Sequence, residues 1–436
     1  MSSIPVVTSG SGTAELVQGL ERLQGPVTVI RRCSELAELI AACQSGMARA
    51  AIVDDDAVEL TASLAERLSA AGVALIVLAD DVETRERLDA LGIRHASRTL
   101  DSESFADLVA LAVSDLESRA GLPASTSSLA DPGQPFRQWT LAESPCAGGG
   151  EGPRDRRGSV VAVWGPAGAP GRTTLALNLA AEAAAAGSTV ILIDADTYAP
   201  SIAAALGLTE ESAGIAQACR LADQGLLDEG SLAGSAISLD LLGQRMSVLT
   251  GITRSDRWIE IRGTALQRVL EQSRSIADIT VVDCGFSVES DEELSFDTMA
   301  PRRNAATLIA LESADTVYAV GAADPVGVPR LVRALTELLA AVPAVSPLIV
   351  LNKVRRSAAG RAPERQLSEA WERFGSGTID AFLPADWEAA DAALLAGTVL
   401  LEAAPSSPLR TAIAALANVP AGTRRRGRRH RRAGAK

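Results

Sequence analysis

The stretch Val160-Val161-Ala162-Val163-Trp164-Gly165-Pro166-Ala167-Gly168-Ala169-Pro170-Gly171-Arg172-Thr173-Thr174, running on through Leu175 to Ala186 and stopped by Gly187, decides how the rest of the chain is read. Its apolar opening does not alternate, which marks a strand buried on both faces. A Gly-, Pro- and Ala-rich loop follows, and then a helix. In that order the three put backbone N–H groups and a helix N-terminus around an anion. Gly168 and Gly171 let the main chain approach phosphate oxygens, and Thr173 offers a hydroxyl to a divalent cation. Two later strands end in carboxylates, Leu192-Ile193-Asp194-Ala195-Asp196 and Val281-Val282-Asp283. Carboxylates at the C-terminal ends of parallel strands face the crevice where ligands bind.

Outward from this segment, apolar runs at Thr189-Ile193, Met246-Leu249, Ile279-Val282, Thr316-Val320, Leu348-Leu351 and Ile379-Leu383 read as further strands separated by helices. This predicts an α/β domain with a mainly parallel sheet over 159–417. Before it, residues 121–158 carry excess Pro, Ser and Gly, including Gly148-Gly149-Gly150, and read as a linker. Residues 1–120 form a second α/β pattern. Strands are expected at Ile4-Val7, Val27-Ile30, Ala50-Val53, Val73-Leu78 and Ile93-Ala96, with helical periods at Glu15-Leu23, Glu35-Cys43, Leu60-Ala70, Thr84-Leu91 and Ser104-Glu117. Five β-α pairs predict a small doubly wound, flavodoxin-like sheet. The pattern resembles the receiver domain of response regulators. Thr8, Ser9 and Arg98 stand where a working receiver has its acidic pair and its Lys, so Asp54 is expected not to accept a phosphoryl group and the domain reads as a pseudo-receiver.

Residues 159–417 resemble the P-loop NTPases of the deviant Walker A class, the ParA and MinD ATPases. The likeness rests on the loop, the Asp194-Ala195-Asp196 strand end, the Asp283 strand and Asn352-Lys353. A pseudo-receiver ahead of such a domain is similar to the CpaE/TadZ branch tied to Flp-pilus assembly, and to septum-site-determining relatives. The resemblance implies ATP and Mg²⁺ as cofactors, held by Gly168, Ala169, Pro170, Gly171, Arg172, Thr173 and Thr174. It further implies Thr173 and Asp283 on the metal, Asp194 on the metal's waters and Asp196 orienting the attacking water. Asn352 would read adenine, with Pro384 on the adjoining loop. The family's signature Lys and Walker Lys are replaced by Ala167 and Arg172, one of its glycines by Ala169, and its Pro-containing switch by Cys284-Gly285-Phe286 followed by Glu289, Asp291, Glu292 and Glu293. A planar guanidinium does not occupy the space of an ammonium, so ATP binding is expected with slow hydrolysis. The alternatives are a non-hydrolysing dimeric scaffold and a DNA-bound partitioning ATPase.

Composition narrows the class. With 436 residues, 47% hydrophobic and 22% charged, the chain has the material for two or three packed domains. No apolar run is long enough for a membrane span, and the N-terminus lacks the features of a secretory signal, so a cytoplasmic protein is expected, with a pole, the septum or the nucleoid as sites of recruitment. Five scattered cysteines and two histidines argue against disulfides and zinc. The net charge is −13, yet residues 418–436 read as a basic disordered tail whose Thr423–Lys436 segment holds seven Arg and one Lys. With no apolar side chain among its arginines, the tail's expected partners are nucleic acid or an anionic membrane surface. A homodimer, and a protein partner bound through the pseudo-receiver, complete the expected associations. Arg330, Arg333, Arg355, Arg356 and Arg361 read as ordinary surface charge, and Cys284 as a small buried residue.

Overall fold

The computed structural model describes residues 3–10, 12–23, 25–54, 60–120, 157–208, 213–289 and 302–417. Most of the expected linker, the acidic residues Asp291, Glu292 and Glu293, and the basic tail lie outside them. The chain separates into two compact units, one built almost wholly from residues before Arg157 and one from Arg157 onward.

In the first unit, β1 (Ile4–Ser9), β2 (Val27–Cys33), β3 (Ala50–Asp54), β4 (Ala74–Leu78) and β5 (Arg94–Ala96) form a parallel sheet in the order β2-β1-β3-β4-β5, the flavodoxin-like order. Strands β1 and β3 lie inside the sheet, and Val6, Val7, Ala50, Ala51, Ile52 and Val53 are wholly buried. Helix Ser102–Ala120 turns Phe105, Ala106, Val109, Ala112 and Val113 to the core, the three- and four-residue spacing of one helical face.

The second unit is built on β6 (Ser159–Trp164), β7 (Val190–Ala195), β8 (Ile237–Leu241), β9 (Gln244–Leu249), β10 (Ile279–Cys284), β11 (Thr316–Ala322), β12 (Leu348–Val354) and β13 (Ile379–Pro384). They pair in the order β13-β12-β11-β6-β10-β7-β9-β8, in parallel except for β8 and β9. Strand β6 shows why its sequence does not alternate. Val160, Ala162 and Trp164 enter the core on one face, under helices Gly263–Ile276, Ala305–Ser313 and Gly327–Ala341. Val161 and Val163 enter the other, under helices Arg172–Ala185 and Pro408–Ala417. Both faces are covered, so every position must be apolar. Strand β8 is the element the pattern reading does not foresee. It pairs antiparallel with β9 across Leu242-Gly243, both at positive φ (52° and 82°), the geometry of a tight hairpin turn.

Polar anchors fix the helix that follows the loop. Glu182 accepts two bonds from the Arg410 guanidinium at 2.5 and 2.7 Å, and Asn178 bridges Thr174 O and Leu400 N. Residues 175–184 of this helix are all buried, so its first turn, where the loop ends, is held from behind.

Candidate functional site

Strand β6 ends at Trp164 and the next helix starts at Arg172, leaving residues 165–171 as the loop. Gly168 and Gly171 have φ of 108° and 100°, where a side chain is rarely accommodated. A Cβ on Gly171 would also collide with the Asn352 amide. Ala169 takes a positive φ of 51° without being glycine, at a cost of about 1–2 kcal/mol. Donors from outside hold the strained loop. Arg172 Nη1 donates to Gly165 O at 2.9 Å, Arg330 Nη1 to Ala167 O at 3.1 Å, Lys353 Nζ to Ala169 O at 2.7 Å and Asn352 Nδ2 to Pro170 O at 2.9 Å. These bonds occupy the carbonyls of Gly165, Ala167, Ala169 and Pro170.

Beside the loop the sheet brings the three expected carboxylates together. Asp283 on β10 is in register with Asp194 on β7, and Asp196 lies just beyond that strand. All three are no more than 3% exposed. Asp194 Oδ2 accepts the amides of Ser201 and Ile202 at 2.9 and 3.0 Å. Asp196 Oδ1 accepts those of Tyr198 and Ala199 at 2.8 and 3.0 Å, and its Oδ2 accepts Arg172 Nη2 at 2.9 Å. Arg172 therefore joins the loop to a carboxylate.

Asp283 Oδ1 is buried without a hydrogen-bond partner. Burial first, and then the adjacent Asp194 charge, hold the Asp283 carboxyl well above the usual range, while the Thr173 hydroxyl and Arg172 pull it down. Asp194, again mainly through burial, is pushed up to about 7. Such a pocket fits a hard cation: an oxygen left without a donor, a nearby hydroxyl and a cluster of acids that excess positive charge would relieve. Among the described residues no group of three or more His, Cys, Asp or Glu is arranged to hold a metal. One carboxylate and one hydroxyl suit Mg²⁺, which keeps its waters and shares ligands with phosphate.

A cleft of about 380 Å³ opens from the loop, lined by Ala169 to Thr174, Asp196, Asn352, Lys353, Pro384 and Trp387. Asn352 is 5% exposed, its amide donating to the loop and its carbonyl accepting Lys353 N at 2.7 Å. Pro384 ends β13 on the far wall. Two further side chains contribute, Lys353, read from the sequence only as part of Asn352-Lys353 and given no role there, and Trp387, which the residue pattern misses. Lys353 braces Ala169 and lies 5.6 Å from the Trp387 ring centroid, and Trp387 is half exposed in the cleft. No local signal singles out Trp387.

The segments after β7 and β10 are tied to each other. Tyr198 and Phe286 rings meet at 4.8 Å, Arg303 stacks over Tyr198, and Tyr198 Oη bonds Asn304 at 2.8 Å. Cys284 is wholly buried, and burial raises its thiol, so it matches the reading as a packing residue.

In the first unit, Asp54 is fully buried and saturated. Arg98 Nε donates to Oδ1 at 2.7 Å and Gly12 N to Oδ2 at 2.6 Å. Ser97 and the Arg98 amide both donate to Asp80, which holds the arginine's segment in place.

The chain is similar in structure to the cell division ATPase MinD of Pyrococcus furiosus, at 18% identity over 60% of this chain and 97% of that one, with a TM-score of 0.46. It is also similar to a ParA family ATPase from Chlorobium tepidum, at 19% identity over 59% and 98% of the two chains, TM-score 0.48. Cobyrinic acid a,c-diamide synthase from Mycobacterium smegmatis, solved with ADP and magnesium, matches at 16% identity over 60% and 92%, TM-score 0.42. No protein-family model and no curated protein sequence matches the chain. Among the described residues no helix is long and apolar enough to cross a membrane.

Proposed function

We propose that the second unit binds ATP with Mg²⁺, hydrolyses it slowly, and works as a positioning protein of the ParA/MinD type in septum-site selection or pilus-apparatus localisation, with the first unit as a pseudo-receiver that docks a protein partner. The observation that carries the reading is the partnerless Asp283 Oδ1 beside Thr173, next to a loop bent by two positive-φ glycines that opens onto the cleft of about 380 Å³. Asp283 and Thr173 hold the cation, Asp194 orders its surroundings, and the loop and Arg172 bind phosphate. The metal, when bound, screens charge between phosphate oxygens and carboxylates.

Slow turnover follows from the same residues. Arg172 must leave Asp196 and Gly165 O before it can follow charge onto phosphate, and Asp196 must then orient water with one oxygen already accepting two amides. Both rearrangements subtract from the preorganisation on which phosphoryl transfer depends.

Calorimetric titration of the whole chain with ATP, with and without Mg²⁺, tests the reading. Asp283→Ala and Thr173→Ala are expected to remove the Mg²⁺-dependent part of binding, and Asp196→Ala to abolish turnover while binding persists. The Arg172–Asp196 pair and Ala167 favour the second reading, a dimeric scaffold that keeps the fold without using the site. Absence of any nucleotide binding would establish the scaffold in place of the ATPase.

A further inference from the structure

Arg330 looks like surface charge in the sequence, but in the fold it lies across the phosphate loop. It projects from helix Gly327–Ala341, whose start is fixed by Asp324 Oδ1 accepting the amides of Val326 and Gly327 at 3.0 and 2.8 Å. Its Nη1 bonds Ala167 O at 3.1 Å, and a Cβ on Gly168 would collide with that same nitrogen. The loop therefore has a glycine where the guanidinium rests. Among the described residues Arg330 pairs with no carboxylate, and it lines two cavities, of about 630 and 320 Å³, that flank the loop at Pro166 and Ala167.

Its position relative to the other charges gives it a role. Arg172, the loop's own cation, is 12% exposed and committed to Asp196 and Gly165 O. The cleft that suits a base lies at the Ala169 to Thr174 end, walled by Asn352, Pro384 and Trp387. A nucleotide with its base against Asn352, Pro384 and Trp387 would run its phosphates over the loop toward Gly168 and Ala167, where Arg330 lies. Exchanging a neutral carbonyl for a phosphate oxygen converts an ordinary hydrogen bond into a charge-assisted one.

We propose that Arg330 reads the terminal phosphate, and so distinguishes a nucleoside triphosphate from a diphosphate on this loop. The proposal rests on the nucleotide-binding reading of the site. It makes Arg330 a specificity residue supplied by a helix outside the loop, at the point where Ala167 brings no charge.

The test is calorimetric titration of the full chain with Mg²⁺ and either ADP or a non-hydrolysable ATP analogue, for wild type, Arg330→Ala, Arg330→Lys and Arg365→Ala. Arg330→Ala is expected to weaken the triphosphate about tenfold or more while ADP stays within about twofold. Arg330→Lys should recover part of the difference, and Arg365→Ala, an exposed arginine on helix Pro363–Phe374 away from the loop, should change neither ligand. An equal loss for both nucleotides would reduce Arg330 to a brace for the loop and overturn the proposal, as would no loss at all. Failure of the wild type to bind either nucleotide has a different signature, and would overturn the nucleotide reading together with this one.

Discussion

Replacing Arg172 by Ala should destabilise the second unit in the absence of any nucleotide. The guanidinium is 12% exposed and its partner Asp196 only 3%, at 2.9 Å, with Asp194 and Asp283 packed alongside. Opposite charges about 4 Å apart attract by about 4 kcal/mol at an effective dielectric near 20. Removing one partner of a buried pair costs roughly 3–5 kcal/mol, because the other charge is left without compensation. In a unit of this size each kcal/mol moves the midpoint by roughly 2–4 °C, so a fall of roughly 6–20 °C is expected. Scanning calorimetry of the full chain reads it, and circular dichroism confirms that the variant is folded at low temperature. The double variant Arg172→Ala/Asp196→Ala should recover much of the loss, since no paired charge is then left alone. A single variant within about 1 kcal/mol of wild type, or a double variant worse than the single, would refute the idea that this ion pair holds the site together.

Two further outcomes concern the other parts of the chain. Arg98→Ala should cost the first unit about 3 kcal/mol, at the low end for a buried pair because the arginine is 34% exposed, and acetyl phosphate should leave Asp54 unlabelled in the wild type, since both its oxygens already accept donors; chemical denaturation and intact mass spectrometry check the two, and stoichiometric labelling would reverse the pseudo-receiver reading. Deleting Thr423–Lys436, which removes eight positive charges, should leave the melting of both units unchanged and weaken binding to DNA or anionic vesicles, most visibly at low salt; unchanged binding would put the contact on the folded body.

The elements that carry the candidate site were legible in the residues because their signals are local. An unalternating apolar run needs two covered faces, which is what β6 has, and glycines at 168 and 171 answer a demand made by the backbone of the loop itself. Carboxylates closing two strands announced themselves in the same way. The hairpin strand β8 carries a local signal of another kind, the apolar/polar alternation Ile237-Ser238-Leu239-Asp240-Leu241 of a half-buried edge strand, which a reading for unbroken apolar runs passes over.

What tertiary structure decided is the pairing of groups far apart in sequence. That Asp283 would stand in register with Asp194 depends on β10 lying between β6 and β7, and only the fold shows that one of its oxygens is buried without a partner. That Arg172 would turn to Asp196, Asn352 to Pro170 O and Arg330 to Ala167 O likewise depends on which helix and strand ends converge on one crevice. A long polar side chain has several partners within reach in the open chain. Burial chooses among them, since each donor or acceptor withdrawn from water must find a partner there or pay about 1–3 kcal/mol. Sequence therefore determined the loop, its helix and the acids of this protein, and the fold determined which cation answers which oxygen.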